Sequence, residues 1–299
     1  MATGVASVST MTEELMKVGG IDLCYETFGD RGARPLLLVM GLGGQMTWWE
    51  DEFCEQLAER DFFVIRFDNR DTGRSTALHG RSSLVKSYLL RSSPYPLTEM
   101  ADDAAGLLQA LDVPAAHVAG VSMGGMICQS LAIRHPGRVR SLTSIMSTTG
   151  SRRVGLPHPK VLSSMLAAPP KDRDGYAESL LRTFRTIGSP GFPFDEPRLR
   201  ARALRSFDRG LNAAGTARHL SAILAAGDRT PGLRELRIPA LVIHGARDPL
   251  VNPSGGKATA KAIPGAELDL VPGMGHDMPR EVWPRLIDGI ARTAGRAGS

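Results

Sequence analysis

The hydroxyl of Ser122 sits in the stretch HVAGVSMGGM, with Gly120 two positions before it and Gly124 two after, where a hydrophobic run stops. Glycine relieves steric strain wherever a backbone bends sharply. The stretch therefore fits either a plain small-residue turn or a strand-to-helix elbow that raises a nucleophile at its apex. A neutral hydroxyl attacks carbonyl carbon poorly unless a base within hydrogen-bond reach takes its proton, and an imidazole, which ordinarily titrates at roughly 6.5, suits that task. A carboxylate on the other ring nitrogen fixes the tautomer and stabilises the imidazolium. Two later segments supply both groups. HGARDPL carries Asp248 and PGMGHDM carries His276, each just after an apolar run.

Other candidates exist for each role. His244 shares a segment with Asp248 and is the rival base, although its place four residues before the acid reads better as a turn residue. His117, at a strand start, and His135, at a helix end, suit packing or surface roles. Asp71 and Asp277 are the rival acids. The tetrahedral intermediate of acyl transfer needs two preorganised N–H donors. Met123, directly after the serine at a helix start, offers one. Leu42 is expected to offer the other, because Gly41 and Gly43 let that loop approach a substrate. Met46, Trp48, Trp49 and Met123 are expected to border an apolar pocket for a bulky ester, while aromatics after such a loop also fit a core.

These side chains need a frame. EELMKV, a Gly19-Gly20 turn and IDLCYETFG read as an antiparallel hairpin. PLLLVMGLGG and FFVIRFDNRDTGRS read as buried strands entering loops. LTEMADDAAGLLQALDV reads as a helix that Thr98 could cap, and Pro136 halts the helix behind Ser122. One more strand, RSLTSIMST, follows. From about residue 150 to 232, proline-rich breaks separate short amphipathic helices, and alternation resumes with IPALVIHGARD, GGKATAKAI, AELDLVPG and EVWPRLIDGIART. Strands alternating with helices predict a mostly parallel sheet covered on both faces, in which functional groups collect beyond the strands' carboxyl ends. The expected organisation is a core in two parts, residues 1–150 and 233–299, around a helical cap at 151–232.

Of the 299 residues 42% are hydrophobic, enough for a large core. The opening twenty residues show no secretory leader and no apolar run approaches a membrane span, so a cytoplasmic protein without a membrane partner is expected. Cys24, Cys54 and Cys128 are dispersed, which suggests reduced structural thiols rather than disulfides or zinc ligation. With 36 basic residues against 31 acidic ones, no nucleic-acid partner is expected. Arg198, Arg202, Arg205 and Arg209 recur at helical spacing and are expected to form a solvated face, or else a basic rim drawing in an anionic substrate. Neither a metal-ligand cluster nor a dinucleotide fingerprint is present, so no cofactor is expected.

At VMGLGG, FDNRDTGRST, GVSMGG, HGARDPL and GMGHDMP the chain resembles the α/β-hydrolase superfamily over nearly its whole length. Within it the chain is similar to the aclacinomycin methylesterase group of actinomycete carboxylesterases, which share the RDTGRST turn and a methionine, here Met40, before the oxyanion glycine. The resemblance implies an α/β-hydrolase fold and hydrolysis of esters, such as methyl esters on polyketide skeletons. It gives the turn holding Asp68 and Arg70 a structural rather than catalytic role. Serine at the elbow argues against the aspartate-nucleophile chemistries of this fold. The leading expectation is a serine carboxylesterase acting through an acyl-enzyme. The alternatives are lactone or thioester cleavage by the same triad and a noncatalytic small-molecule receptor. The oligomeric state is left open.

Overall fold

The computed structural model describes residues 13–161, 170 and 172–298. Most of the opening stretch read for a leader, and residues 162–169 and 171 of the helical region, lie outside the described residues.

Eight strands form one sheet in the order β1 (Glu14–Val18), β2 (Ile21–Phe28), β4 (Phe62–Phe67), β3 (Arg34–Val39), β5 (Ala116–Val121), β6 (Val139–Ile145), β7 (Ala240–Gly245), β8 (Glu267–Val271). The hairpin β1–β2 and the β2–β4 pair are antiparallel, and every other pairing is parallel. Gly19 and Gly20, at φ of 55° and 94°, make the turn whose hand matches strand twist. The inner parallel strands β3–β7 are buried on both faces because their side chains alternate between two cores, whereas the edge strand β8 is only partly buried. Leu37, Val39, Ile65 and Val118 join one, and Leu36, Leu38, Val64 and Ala119 the other.

Helices α1 (Asp51–Ala58), α2 (Leu84–Leu90), α3 (Leu97–Ala110) and α4 (Met123–Arg134) punctuate the first six strands. Helix α3 buries Met100, Ala104, Leu107 and Leu108 at helical spacing, and α4 is buried almost all round. Pro96, in extended backbone, takes the cap position of α3. Thr98 therefore already lies inside the first turn and caps nothing, which corrects the expectation. Between β6 and β7 come α5 (Arg173–Ile187), α6 (Glu196–Arg209), α7 (Ala213–Ala225) and α8 (Thr230–Arg234), with no strand among the described residues. Helices α9 (Ser254–Ala262) and α10 (Trp283–Gly295) complete the chain. The first core takes its helical cover from α3 and α4, the second from α1 and α10.

The arginine face of α6 is paired rather than free, and of the four only Arg205 is exposed. Arg198 grips Glu50 through Nε at 2.7 Å, Arg202 reaches the same carboxylate at 3.0 Å, Arg205 pairs with Asp51 at 2.9 Å and Arg209 with buried Asp68 at 2.8 Å. Periodicity correctly put the four on one side, but their partners come from segments more than a hundred residues away. Spent on carboxylates, these guanidiniums do not form a free rim for an anionic substrate. The three cysteines are buried and unpaired.

Strand β5 and helix α4 cross at glycine. A Cβ on Gly120 would strike the carbonyl of Gly124, and one on Gly124 would strike the carbonyl of Val39. Backbone atoms cannot swing aside as a flexible side chain can. Gly124→Ala is expected to destabilise the protein by about 1–3 kcal/mol through overpacking, whereas Gly137→Ala, with nothing within 4 Å, should stay within about 0.5 kcal/mol of the parent. Urea denaturation of the pair measures the contrast.

Candidate functional site

Ser122 follows the last residue of β5 and precedes α4, with φ of 56° and ψ of −117°. A side-chain-bearing residue pays for that backbone with strain, and such strain collects where a side chain must be aimed. The conformation is held from both sides. Ser122 N–H donates to Ile145 O at 2.9 Å, and Ser147 Oγ donates to Ser122 O at 2.7 Å.

Asp248 lies in the loop after β7. Its Oδ1 accepts the amides of Leu250 and Val251 at 2.8 and 2.9 Å, leaving Oδ2 for the Nδ1 of His276 at 2.7 Å. Burial pushes the Asp248 carboxyl up. The facing His276 and the hydrogen bonds from His244, His276 and the Val251 amide outweigh that and hold it down at about 2. His276, after β8, is anchored by its own N–H on Ile187 O at 2.7 Å, at the end of α5. An ionised carboxylate only accepts, so Nδ1 carries the ring proton and Nε2 is the acceptor, 3.1 Å from Ser122 Oγ. Serine, histidine and aspartate from three distant loops are thus in continuous hydrogen-bond contact.

The rivals are otherwise engaged. Nε2 of His244 lies 2.7 Å from Val251 O and 3.5 Å from Asp248, wholly buried and without contact to the serine. Asp277 takes the hydroxyl of Ser189. Asp71 accepts Arg218 and the Tyr95 hydroxyl at 2.7 Å each. His117 meets Ser141, and His135 pairs with Asp102.

In the loop after β3, Gly44 N–H donates to Gly41 O at 3.1 Å and Gly43 N–H to the Nδ1 of His219 at 3.3 Å. Among the described residues the Leu42 amide has no such partner, and neither does that of Met123 at the first turn of α4. A Cβ on Gly41 would lie 3.2 Å from that of Ser122, so the loop passes directly beside the hydroxyl. Met40 packs under it, against Gly44.

The expected pocket wall is only partly in place. Met46 and Trp49 have no exposed surface: Trp49 stacks on Phe53 in the second core, and the Met46 amide donates to Asp68 at 2.7 Å. Met123 is likewise wholly buried. Met46 and the following Thr47 are buried within the short helical turn at residues 46–48, Trp49 directly after it, and Met123 at the start of α4. Trp48 alone faces the helical insertion, stacked on Phe184 at 5.4 Å with its Nε1 donating to Ser206 Oγ at 3.0 Å. A cavity of about 360 Å³ opens beside it, lined by Phe184, Ser189, Leu199, Arg202, Asp277 and Met278. It adjoins the His276 loop, and Ser122 is not among its walls.

Asp68 and Arg70 serve the scaffold. Asp68 accepts the amides of Met46 and Arg74 and the Arg209 side chain, and Arg70 forks onto Asp103 at 2.6 and 2.8 Å. Sequence reasoning missed His219 and Gln45, which connect the loop after β3 to the insertion. A histidine in a helical run and a glutamine after glycines carry no motif that marks them. Among the described residues no group of His, Cys, Asp or Glu side chains is arranged to hold a metal ion, and no helix is long and apolar enough to cross a membrane.

The chain matches the family model for the alpha/beta hydrolase fold over residues 34–279. It is 32% identical over 293 residues to the rhodomycin D methylesterase DnrP of Streptomyces peucetius, a match covering 90% of this chain and 94% of that one. It is 28% identical to 3-oxoadipate enol-lactonase 2 of Acinetobacter baylyi, covering 84% and 85% of the two chains. The crystal structure of the enol-lactonase from Burkholderia xenovorans LB400 shares its fold with a TM-score of 0.74 at 24% identity, over 94% of this chain and 100% of that one. With its sheet order, its matched span and its full-length relatives in agreement, the chain belongs to the α/β-hydrolase family and is a hydrolase.

Proposed function

We propose that the protein is a serine carboxylesterase working through an acyl-enzyme. The observation that carries this reading is the unbroken array Ser122 Oγ, His276 Nε2, His276 Nδ1, Asp248 Oδ2, at 3.1 and 2.7 Å. Ser122 Oγ attacks the ester carbonyl carbon while its proton passes to His276 Nε2. The carbonyl oxygen, now carrying the negative charge, takes hydrogen bonds from the Leu42 and Met123 amides. His276 then returns the proton to the departing alkoxide, and the alcohol leaves. A water deprotonated by His276 attacks the acyl-enzyme, and collapse of the second intermediate frees the acid and restores Ser122.

Similarity to a rhodomycin D methylesterase favours a methyl ester on a bulky ring system as the substrate class. A second reading, lactone opening by the same array, is favoured by similarity to an enol-lactonase. It differs only in that the leaving alkoxide stays tethered to the acid. Helices α5–α8 act as a cap over the core, with Trp48 at its contact with α5, and the working partner is a small ester in the cytoplasm. Parallel assays of methyl esters and lactones separate the two readings, and loss of a p-nitrophenyl ester activity on phosphonate labelling of Ser122 tests both.

Ser122→Ala and His276→Ala are each expected to abolish p-nitrophenyl butyrate hydrolysis with little change in melting temperature. Near-native turnover in either overturns the assignment. Asp248→Asn should retain the fold and lose on the order of 10⁴ in kcat by favouring the wrong tautomer.

The depressed Asp248 carboxyl has a defined pH signature. It contributes stability that is complete above its unfolded pKa, roughly 3.9, and that is lost as pH falls towards about 2. Asp248 therefore stays ionised throughout the working range and adds no ionisation of its own, so log kcat/KM should rise between pH 5 and 8 with a slope of no more than one. A slope of two contradicts this.

Because a long flexible chain must be ordered at an entropic cost, soluble short-chain or bulky cyclic esters should be cleaved in preference to emulsified triolein. Faster triolein hydrolysis, measured by pH-stat, overturns the substrate class.

A further inference from the structure

Resting on the esterase reading above, we propose that His219, in α7 of the insertion, is a positioning residue for the oxyanion loop: by accepting the Gly43 N–H at Nδ1 it holds the neighbouring Leu42 N–H towards Ser122. The loop runs between two surfaces. On one side a Cβ at Gly41 would lie 3.2 Å from the Cβ of Ser122, and on the other a Cβ at Gly43 would lie 2.7 Å from Thr216 Oγ1 of α7. Gly43 has φ of 62°, so its peptide planes are set by a backbone that few residues but glycine adopt. A rotation of the Leu42–Gly43 region would carry the Leu42 amide away from the serine.

The hydrogen bonds of His219 leave one consistent arrangement. Nε2 faces the carbonyl oxygen of Arg70 at 2.7 Å, which can only accept, so Nε2 carries the proton and Nδ1 is the acceptor for Gly43 N–H at 3.3 Å. Burial holds the imidazole down at about 4, so it stays neutral and keeps this acceptor where an esterase of this type would work. Arg70 is itself fixed by Asp103 and by Glu99 at 2.6 Å, both on α3. The loop is thereby tied through His219 to the core. Gln45, a little further along, gives a second tie: its Nε2 donates to Ser206 O and Gly210 O at 2.9 and 2.8 Å. The insertion thus supports the catalytic geometry as well as covering it.

The test compares two partial mimics of the ring. In His219→Asn the amide oxygen stands near the place of Nδ1 and keeps an acceptor for Gly43. In His219→Gln the amide nitrogen stands near Nε2 and keeps a donor for Arg70 but no acceptor for the loop. Complete loss of one oxyanion donor costs roughly 10²–10³ in kcat, so a displaced one should cost about 10–100-fold in the Gln variant, with KM little changed and with most of the loss recovered in the Asn variant. Affinity for a trifluoromethyl ketone, whose hemiketal oxygen needs the same donors, should weaken in parallel with kcat. Equal losses in both variants, tracking melting temperature alone, overturn the inference.

Should either variant fail to fold, ¹⁵N-histidine spectra of the intact protein decide, because the inference requires the Nε2–H tautomer of His219 and an Nδ1–H tautomer overturns it. Failure of the esterase reading is separately visible. A phosphonate that never labels Ser122 in the native chain overturns that reading and this inference with it. Labelling at equal rates in the native, Asn and Gln proteins overturns the role of His219 alone.

Discussion

Helix α4 can leave β5 directly behind Ser122 only because Gly120 and Gly124 have no side chains to keep the two backbones apart. That close crossing sets the left-handed backbone at Ser122, which costs on the order of 1–3 kcal/mol and is held by the amide bond to Ile145 and the hydroxyl of Ser147. It also stands the serine clear of the sheet's carboxyl edge, with the first amide of α4 beside it. The parallel order of the central strands then brings three more loops to that same edge. The loop after β3 arrives with Leu42, the loop after β7 with Asp248 and the loop after β8 with His276.

Charge organises the second level. Asp68 and the four arginines of α6 join core and insertion through ion pairs that are partly or fully removed from water. Such pairs give little net stability, because desolvation offsets most of the attraction, but breaking one leaves a costly unpaired charge. They act as a registration device: α6 has one seating in which Glu50, Asp51 and Asp68 are all answered. Gln45 and His219 extend the same contact to the loop after β3. Arg202, also packed over Trp48 at 4.1 Å to the ring centroid, links the ion pairs to the aromatic contact between Trp48 and Phe184.

The Asp248 loop shows how burial and hydrogen bonding divide the work. A carboxylate removed from water would ordinarily prefer to be neutral, yet two backbone amides and the His276 ring hold it charged. Its buried neighbour His244 contributes by pinning Val251, one of those amide-bearing residues, rather than by meeting the serine. The same chemical type in the same segment serves structure at one position, while His276 reaches the hydroxyl from another loop.

Much was legible in the chain itself because the signals are local. The glycine pattern around Ser122, the Gly19-Gly20 turn and the runs of apolar residues that become doubly covered strands depend on backbone sterics and side-chain period, and each reads correctly from a few adjacent residues. The choice of Ser122, Asp248 and His276 as a set rested on strand ends, which local pattern locates. Tertiary structure alone decided what depends on neighbours distant in sequence. Helical spacing aligned Arg198, Arg202, Arg205 and Arg209 but could not reveal the carboxylates waiting opposite, so a paired face read as a solvated one. Trp49 and Met46 turned inward although aromatic and apolar residues after a glycine loop suit a pocket equally well. His219 and Gln45 belong to this class too, since an imidazole or amide acquires its role only from the groups that folding places at its two ends.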